Sequence, residues 1–195
     1  VNVLFMSDIF ILSNLEEWKV KNGYKVRKWL NDMGEIEALI SLSTIAFEHD
    51  EWTYPTISGV NEIEAIELAH PLLGEKAKSN NFTLKGSEKV ALITGSNMSG
   101  KSTFLRTIGF NMILTYLGLP TFSKGFKCGI SNIYTCMRTQ DNLEESISSF
   151  YAEILRIKLV IEAARSGEKV FFLLDEIFKG TNSKDRHDGA KILIE

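Results

Sequence analysis

Eight consecutive residues, Gly95-Ser96-Asn97-Met98-Ser99-Gly100-Lys101-Ser102, carry the strongest chemical signal in the sequence. A glycine, four intervening residues and then Gly-Lys-Ser is the spacing of a phosphate-binding loop. Its glycines let the backbone turn so that consecutive N–H groups form an anion-binding nest at the start of a helix. Lys101 is then expected to reach the β- and γ-phosphates of a nucleoside triphosphate, and the Ser102 hydroxyl to help hold Mg²⁺. A Gly/Ser turn that merely starts a helix is the other reading of these residues.

A second group lies downstream. The run Val170-Phe171-Phe172-Leu173-Leu174 is wholly apolar and leads into Asp175-Glu176. A buried strand that ends in an acid delivers that acid beside bound phosphates. Asp175 fits the Mg²⁺-linked carboxylate, and Glu176 suits a general base that orients and partly deprotonates the attacking water. Alone, the pair reads as an ordinary acidic strand end; the phosphate loop upstream favours the catalytic reading. Between the two groups, Ser146, Ser148 and Ser149 precede an apolar helical run from Phe150. Such a turn offers hydroxyls and free N–H groups to an anion, or simply caps the helix.

These residues need elements to position them. Val90-Ala91-Leu92-Ile93-Thr94 reads as a strand buried on both faces, leading into the loop. A helix is predicted from Lys101, carrying Phe104, Leu105, Ile108, Met112 and Ile113, and ending near Gly118 and Pro120. Ile133–Met137 and Val170–Leu174 read as further strands, with a helix over Phe150–Arg165 that carries Ile154, Leu155, Leu159 and Ala163 on one side. Strands alternating with helices predict an α/β domain with a mainly parallel sheet flanked by helices. Ahead of it, Trp52–Asn81 reads as a small β-rich entry in which Glu62–Leu68 alternates as a half-buried strand. Residues 1 to 50 read as two amphipathic helices broken near Asn22-Gly23; the lysines and arginine around the break read as a solvated face.

Composition narrows the classes. The 195 residues are 44% hydrophobic, enough for one full core. A net charge of -3 lacks the basic excess of a surface that grips nucleic acid mainly through phosphates, so DNA contact is expected of other parts. Cys128 and Cys136, with three scattered histidines, match neither a metal knuckle nor a disulfide framework, which fits a reducing cytoplasm. Charged residues interrupt the apolar opening well before the roughly 20 residues needed to span a bilayer, so no membrane segment or signal peptide is expected. A first residue other than Met and a final helical run without a cap signal suggest a piece of a longer protein.

With the motifs in place, the sequence resembles the ATPase domain of the MutS family of DNA mismatch-repair proteins. Thr94 to Thr103 is similar to that family's version of the loop, including its Asn97-Met98 insert and its trailing Ser102-Thr103. Asp175-Glu176-Ile177 with Gly180-Thr181 and Ser183 resembles its acidic strand and following turn, and residues 141–150 with Glu153 resemble its signature loop. His70-Pro71 and Asn80-Asn81 resemble elements at the start of the domain. Ala77-Lys78 departs from it, standing where many relatives carry an adenine-stacking aromatic, and Phe178-Lys179 and Lys184–His187 depart from the usual turn.

The resemblance implies a P-loop NTPase fold of ABC type over residues 51–195, truncated at its C-terminus, with residues 1–50 as the end of a helical lever. It implies ATP and Mg²⁺ as ligands, bound by Gly95 to Thr103 with Ser102 and Asp175 at the metal, and Lys101 and Glu176 as catalytic residues. Ser148, with Ser149, would cap the γ-phosphate of a partner's nucleotide, in a homodimer of the full-length protein; the fragment would be monomeric and weakly active. Turnover would be coupled to the binding of mismatched or otherwise non-standard DNA by other domains. An ABC-type module driving a non-DNA partner is the alternative, and the absence of a Leu-Ser-Gly-Gly-Gln signature weighs against it. A regulatory nucleotide-binding fragment that never hydrolyses ATP is a third, against which Glu176 weighs.

Overall fold

A computed structural model describes residues 7–86, 90–137 and 146–175, with the backbone alone at 146–150 and at Ala152. The signature-loop residues 141–145, the candidate base Glu176 and the turn and helix expected after it lie outside the described residues. The chain divides into two compact units, residues 1–48 and 49–195.

The first unit is one helix, α1, Ser7–Glu48. Its 42 residues rise about 63 Å at 1.5 Å each. The break expected near Asn22-Gly23 is absent. A lone glycine costs a helix interior only about 1 kcal/mol relative to alanine, and no proline follows to remove a backbone donor. Asn22 instead uses its side-chain amide within the helix, donating from Nδ2 to the Trp18 carbonyl at 3.2 Å. None of the residues in α1 is buried within the chain. No helix among the described residues is long and apolar enough to cross a membrane.

The second unit is built on a four-stranded sheet of order β1-β4-β2-β3, comprising β1 Thr56–Ser58, β2 Ile63–Leu68, β3 Asn80–Leu84 and β4 Gly125–Gly129. β2 forms where the alternation predicts it. Ile63, Ala65 and Leu68 are buried, with a bulge between Ala65 and Leu68 where Glu67 adopts φ 50°. β4 slots between β1 and β2, parallel to the first and antiparallel to the second, and Lys127 on β4 pairs with Glu62 at 2.6 Å. The segment 52–81 is thus most of the main sheet rather than an entry to it.

A separate pair, β5 Asn132–Cys136 and β6 Val170–Leu174, is parallel and in unbroken register from Asn132↔Val170 to Cys136↔Leu174. The expected P-loop NTPase fold with a mainly parallel sheet is therefore overturned: the domain is a small mixed α/β unit with a four-stranded mixed sheet, and β5–β6 stand apart from it. The reason lies in Val90–Thr94. This run forms no strand, and Leu92 is 82% exposed, so among the described residues nothing links the two sheets edge to edge.

Helix α2, Lys101–Tyr116, supplies the joint instead. Ile108 and Met112 pack with Ile63, Ala65, Leu68, Phe126 and Cys128 in one core cluster, and Phe171 of β6 lies against the same cluster. Helix α3, Ser146–Arg165, packs on β5 and β6. Its buried stripe is Ile157, Val160 and Ala163, whereas Ile154, Leu155 and Leu159 of the expected face are exposed. The run is apolar on nearly every side, so its periodicity allowed more than one stripe.

Candidate nucleotide site

Gly100 is the residue that lets the loop turn into α2. Its φ of 91° lies in the left-handed region that glycine enters without a side-chain clash. It caps the helix without a side-chain hydrogen bond, and its carbonyl accepts from the Phe104 N–H at 2.8 Å, closing the first turn. A helix start with no capping side chain leaves backbone N–H groups for an outside acceptor.

The loop before it is tightly wound. The Ser99 N–H donates to the Ser96 carbonyl at 3.3 Å, and a β-carbon on residue 95 would come within 2.9 Å of Ser99 Oγ. Met98 sits at the tip with φ 63° and its side chain fully exposed. A non-glycine residue held there carries about 1–3 kcal/mol of backbone strain. Lys101 turns back over the loop, its Nζ donating to the carbonyls of Gly95 at 2.9 Å and Ser96 at 2.6 Å. Ser96, Asn97, Ser99 and Thr103 are exposed, and Ser102 is half-buried.

The acidic strand ends on the same side of the molecule. At the far end of α2, the Tyr116 hydroxyl donates to the Gly129 carbonyl at 3.0 Å and accepts from the Ser131 N–H at 3.1 Å, beside the start of β5 and so beside Val170, the start of β6. Near its middle, α2 meets β6 at Leu173: a β-carbon on Gly109 would lie 2.9 Å from Leu173 Cδ1. From Tyr116 back to Gly109 is about 10 Å of helix, and from Val170 on to Leu173 about 10 Å of strand. The helix therefore runs antiparallel to β6, and its first residues, Lys101 and Ser102, point toward the end of β6 that carries Asp175. Asp175 is half-buried, and its N–H donates to the Cys136 carbonyl at 2.9 Å, extending the β5–β6 ladder by one step.

Ser148 and Ser149 fall in the first turn of α3, which begins a turn earlier than the sequence predicts; their side chains lie outside the described residues. Among the described residues, no grouping of three or more His, Cys, Asp or Glu side chains could hold a metal ion. Ser102 and Asp175 offer a hydroxyl and a carboxylate, the oxygen donors Mg²⁺ prefers. A cavity of about 670 Å³ lies elsewhere, lined by Phe82, Leu84, Val90, Ile93, Val160 and Phe172 among others, and no residue from 95 to 102 borders it.

Sequence reasoning missed three residues that hold the site together. Gly109 lets α2 approach β6, Tyr116 pins its far end, and Asn111, which is 0% exposed, ties its middle to the sheet unit. Asn111 Nδ2 donates to the Ala69 carbonyl at 3.1 Å and the Thr107 carbonyl at 2.8 Å, and its Oδ1 accepts from the Phe122 N–H at 3.0 Å. An isolated glycine and an asparagine inside a helical run were the available signals, since each is unfavourable there without a packing reason.

The family described as MutS domain V matches residues 91–194, which takes in the loop, α2, α3 and β6. Over 188 residues the chain is 30% identical to the endonuclease MutS2 of Carboxydothermus hydrogenoformans, covering 95% of this chain and 24% of that protein. It is 33% identical over 165 residues to the DNA mismatch repair protein MutS of Persephonella marina, covering 83% of this chain and 19% of that protein. The corresponding protein of Bacillus velezensis is 33% identical over 177 residues, covering 88% of this chain and 20% of its own length. The chain thus spans a quarter or less of the length of these relatives.

Proposed function

The chain belongs to the MutS family, and from that premise we propose that it binds and hydrolyses Mg-ATP, as the part of a mismatch-repair protein that couples turnover to the binding of mismatched or otherwise non-standard DNA by regions beyond residues 1–195. The observation that carries this reading is the antiparallel course of α2 over β6, which turns the loop at 95–102 and Asp175 toward one end. Relatives bearing the names of a mismatch repair protein and of an endonuclease support the DNA side of the reading.

In this reading the β- and γ-phosphate oxygens take over the Lys101 ammonium from the carbonyls of Gly95 and Ser96, while N–H groups of residues 96 to 103 face the phosphates. The Ser102 hydroxyl and the Asp175 carboxylate hold Mg²⁺, which when bound neutralises charge on the phosphate oxygens. Glu176 accepts a proton from the water that attacks the γ-phosphorus; the bond from that phosphorus to the β–γ bridging oxygen breaks, and ADP and phosphate leave. Ser148 and Ser149 serve the nucleotide of a second copy, so the site is complete only in a homodimer, and the 195-residue piece alone turns over slowly.

The test is fluorescent-ATP binding and phosphate release by the full-length protein. Lys101→Ala is expected to abolish binding, and Glu176→Gln to retain binding while losing turnover. Micromolar ATP affinity in Lys101→Ala, or unchanged turnover in Glu176→Gln, would remove the loop or the base from this scheme.

A further inference from the structure

Charge is unevenly spread along α1. Between Trp18 and Asn31 stand Lys19, Lys21, Lys25, Arg27 and Lys28 with no aspartate or glutamate, a charge of +5 in a chain of net -3, which leaves -8 for the remaining residues. The whole-chain balance, which spoke against a surface that grips phosphates, averages over this contrast. Continuity of the helix is what turns the run into a surface, because without a break at Asn22-Gly23 the five cations share one helical phase. At about 100° per residue, Lys21, Lys25 and Lys28 fall within about 60° of one another, whereas Lys19 and Arg27 lie about 100° or more away on either side.

Little within the chain neutralises this face. Among the described residues Lys19 pairs with Glu16 at 3.6 Å, and the other four cations make no ion pair. Glu17 and Asp32 stand four residues before Lys21 and four after Lys28, the spacing that pairs charges on a helix, and neither closes on them. Trp18 and Trp29 are separated by about 16 Å of helix, and their rings lean together to 6.3 Å between centroids. Asn22, Lys25 and Val26, which lie between them, are half-buried where the rest of the stretch is exposed. The indoles thus stand as an apolar wall beside the lysines, and a low-dielectric wall focuses the field of the charges it borders.

Such a face suits a row of phosphates. Lys21 to Lys28 spans about 10 Å of helix, and each strand of duplex DNA carries a phosphate about every 3.4 Å of its axis. Three ammonium groups on flexible stems can each meet a different one. The rings favour a duplex over a single strand. Unpaired bases stack on open aromatic faces, whereas here the indoles lean on each other and the Lys25 ammonium lies 5.3 Å from the centre of the Tyr24 ring.

We propose that Lys21, Lys25 and Lys28 form a face of α1 that grips the phosphate backbone of duplex DNA without reading its sequence. The proposal rests on the DNA side of the reading given above and adds to it a contact within residues 1–195.

The experiment measures the affinity of the full-length protein for a fluorescent, fully paired DNA duplex between about 50 and 200 mM KCl, with thermal melting as a check on folding. Replacing all three residues, as Lys21→Gln, Lys25→Gln and Lys28→Gln together, is expected to flatten the slope of log affinity against log salt by about 2.7, at about 0.9 per phosphate. Wild type should therefore lose about 40-fold more affinity than the variant across that range. The matching triple change to arginine is expected to keep the wild-type slope, and Lys19→Gln with Arg27→Gln, on the other faces, to keep it within about 0.5. An unchanged slope in the triple glutamine variant overturns the proposal, as does an equal flattening by the Lys19 and Arg27 pair. Loss of binding to phosphatidylserine vesicles with an unchanged DNA slope overturns it in favour of a membrane surface. Earlier melting with an unchanged slope overturns it in favour of an acidic surface elsewhere in the protein. If the triple variant melts early and its slope flattens, Lys21→Gln and Lys28→Gln decide singly: a flattening of about 1 each with wild-type melting supports the proposal, and wild-type slopes overturn it. Failure of the wild-type protein to bind the duplex at any salt concentration overturns the DNA side of the reading itself, an outcome distinct from the others.

Discussion

Lys101 is held by the loop it closes: its ammonium lies 2.6 Å from the Ser96 carbonyl oxygen, five residues back, and 2.9 Å from that of Gly95. Hydrogen bonds from a charged donor are worth about 1.5–3 kcal/mol each. The lysine that is proposed to meet phosphate is thus also the clamp that keeps residues 95–100 wound. Lys101→Met is expected to release the loop without unfolding the domain. Amide exchange at Asn97, Met98 and Ser99 should accelerate by about tenfold or more, while amides of β2 and β4 keep their wild-type rates. Unaltered loop exchange would show that the two carbonyl contacts contribute nothing to its shape.

Asn111 holds α2 to the chain on two sides, through the Ala69 carbonyl and the Phe122 N–H. Leucine in its place keeps the branched side-chain skeleton but cannot hydrogen-bond, leaving the Ala69 carbonyl and the part-buried Phe122 N–H without this partner. Each such group costs about 1–3 kcal/mol. Asn111→Leu should therefore lower unfolding free energy by about 2–4 kcal/mol, seen as an earlier urea midpoint with little change in slope. A midpoint equal to wild type would mean that the amide is dispensable.

His70 predicts a pH dependence. Its Nδ1 accepts from the Leu72 N–H at 3.3 Å, capping the 3₁₀ turn Pro71–Lys76, and that bond needs the neutral ring. Burial of the ring, and secondarily the charge of Arg106, holds its pKa below the ordinary histidine value. The folded state therefore binds fewer protons than the unfolded chain. Stability from this residue is fully present above about pH 6.5, the unfolded value, and is lost as pH falls through the folded value. His70→Asn keeps a capping acceptor without titrating. Wild type should lose more stability than His70→Asn between pH 7 and pH 5 in urea titrations; parallel curves would contradict this.

Cys128 is fully buried on β4, and burial pushes its thiol up to about 11, against a smaller downward pull from the Thr115 hydroxyl. Near pH 8 only about one thiol in a thousand is then ionised, and the thiolate is the reactive form. Iodoacetamide at pH 8 should leave Cys128 unmodified in the folded protein and label it only in denaturant, as read by peptide mass. Labelling under native conditions would mean that β4 opens readily.

Much of the local structure is legible in the residues. The alternation of Ile63–Leu68 and the apolar run Val170–Leu174 become strands, and the run from Lys101 becomes a helix ending at Tyr116. These segments state their structure locally, through period and punctuation. β4 does not: Gly125-Phe126-Lys127-Cys128-Gly129 is short, begins and ends in glycine, and is a strand because β1 and β2 flank it. Val90–Thr94 is the reverse case, a run with every local mark of a strand that forms no strand pairing among the described residues. For α3, the sequence allowed more than one buried stripe, and contact with β5 and β6 chose Ile157, Val160 and Ala163.

By itself the sequence determined the phosphate-loop spacing, the acidic pair after an apolar run, and the resemblance to the MutS family that the domain V match establishes. Those features are set by residue types at fixed separations along the chain. Tertiary structure alone decided that the main sheet is mixed, that α2 joins two separate sheets, and that Gly109 meets Leu173 while Tyr116 meets Ser131. Strand order and helix direction depend on contacts between residues far apart in sequence, whose strengths no local pattern encodes.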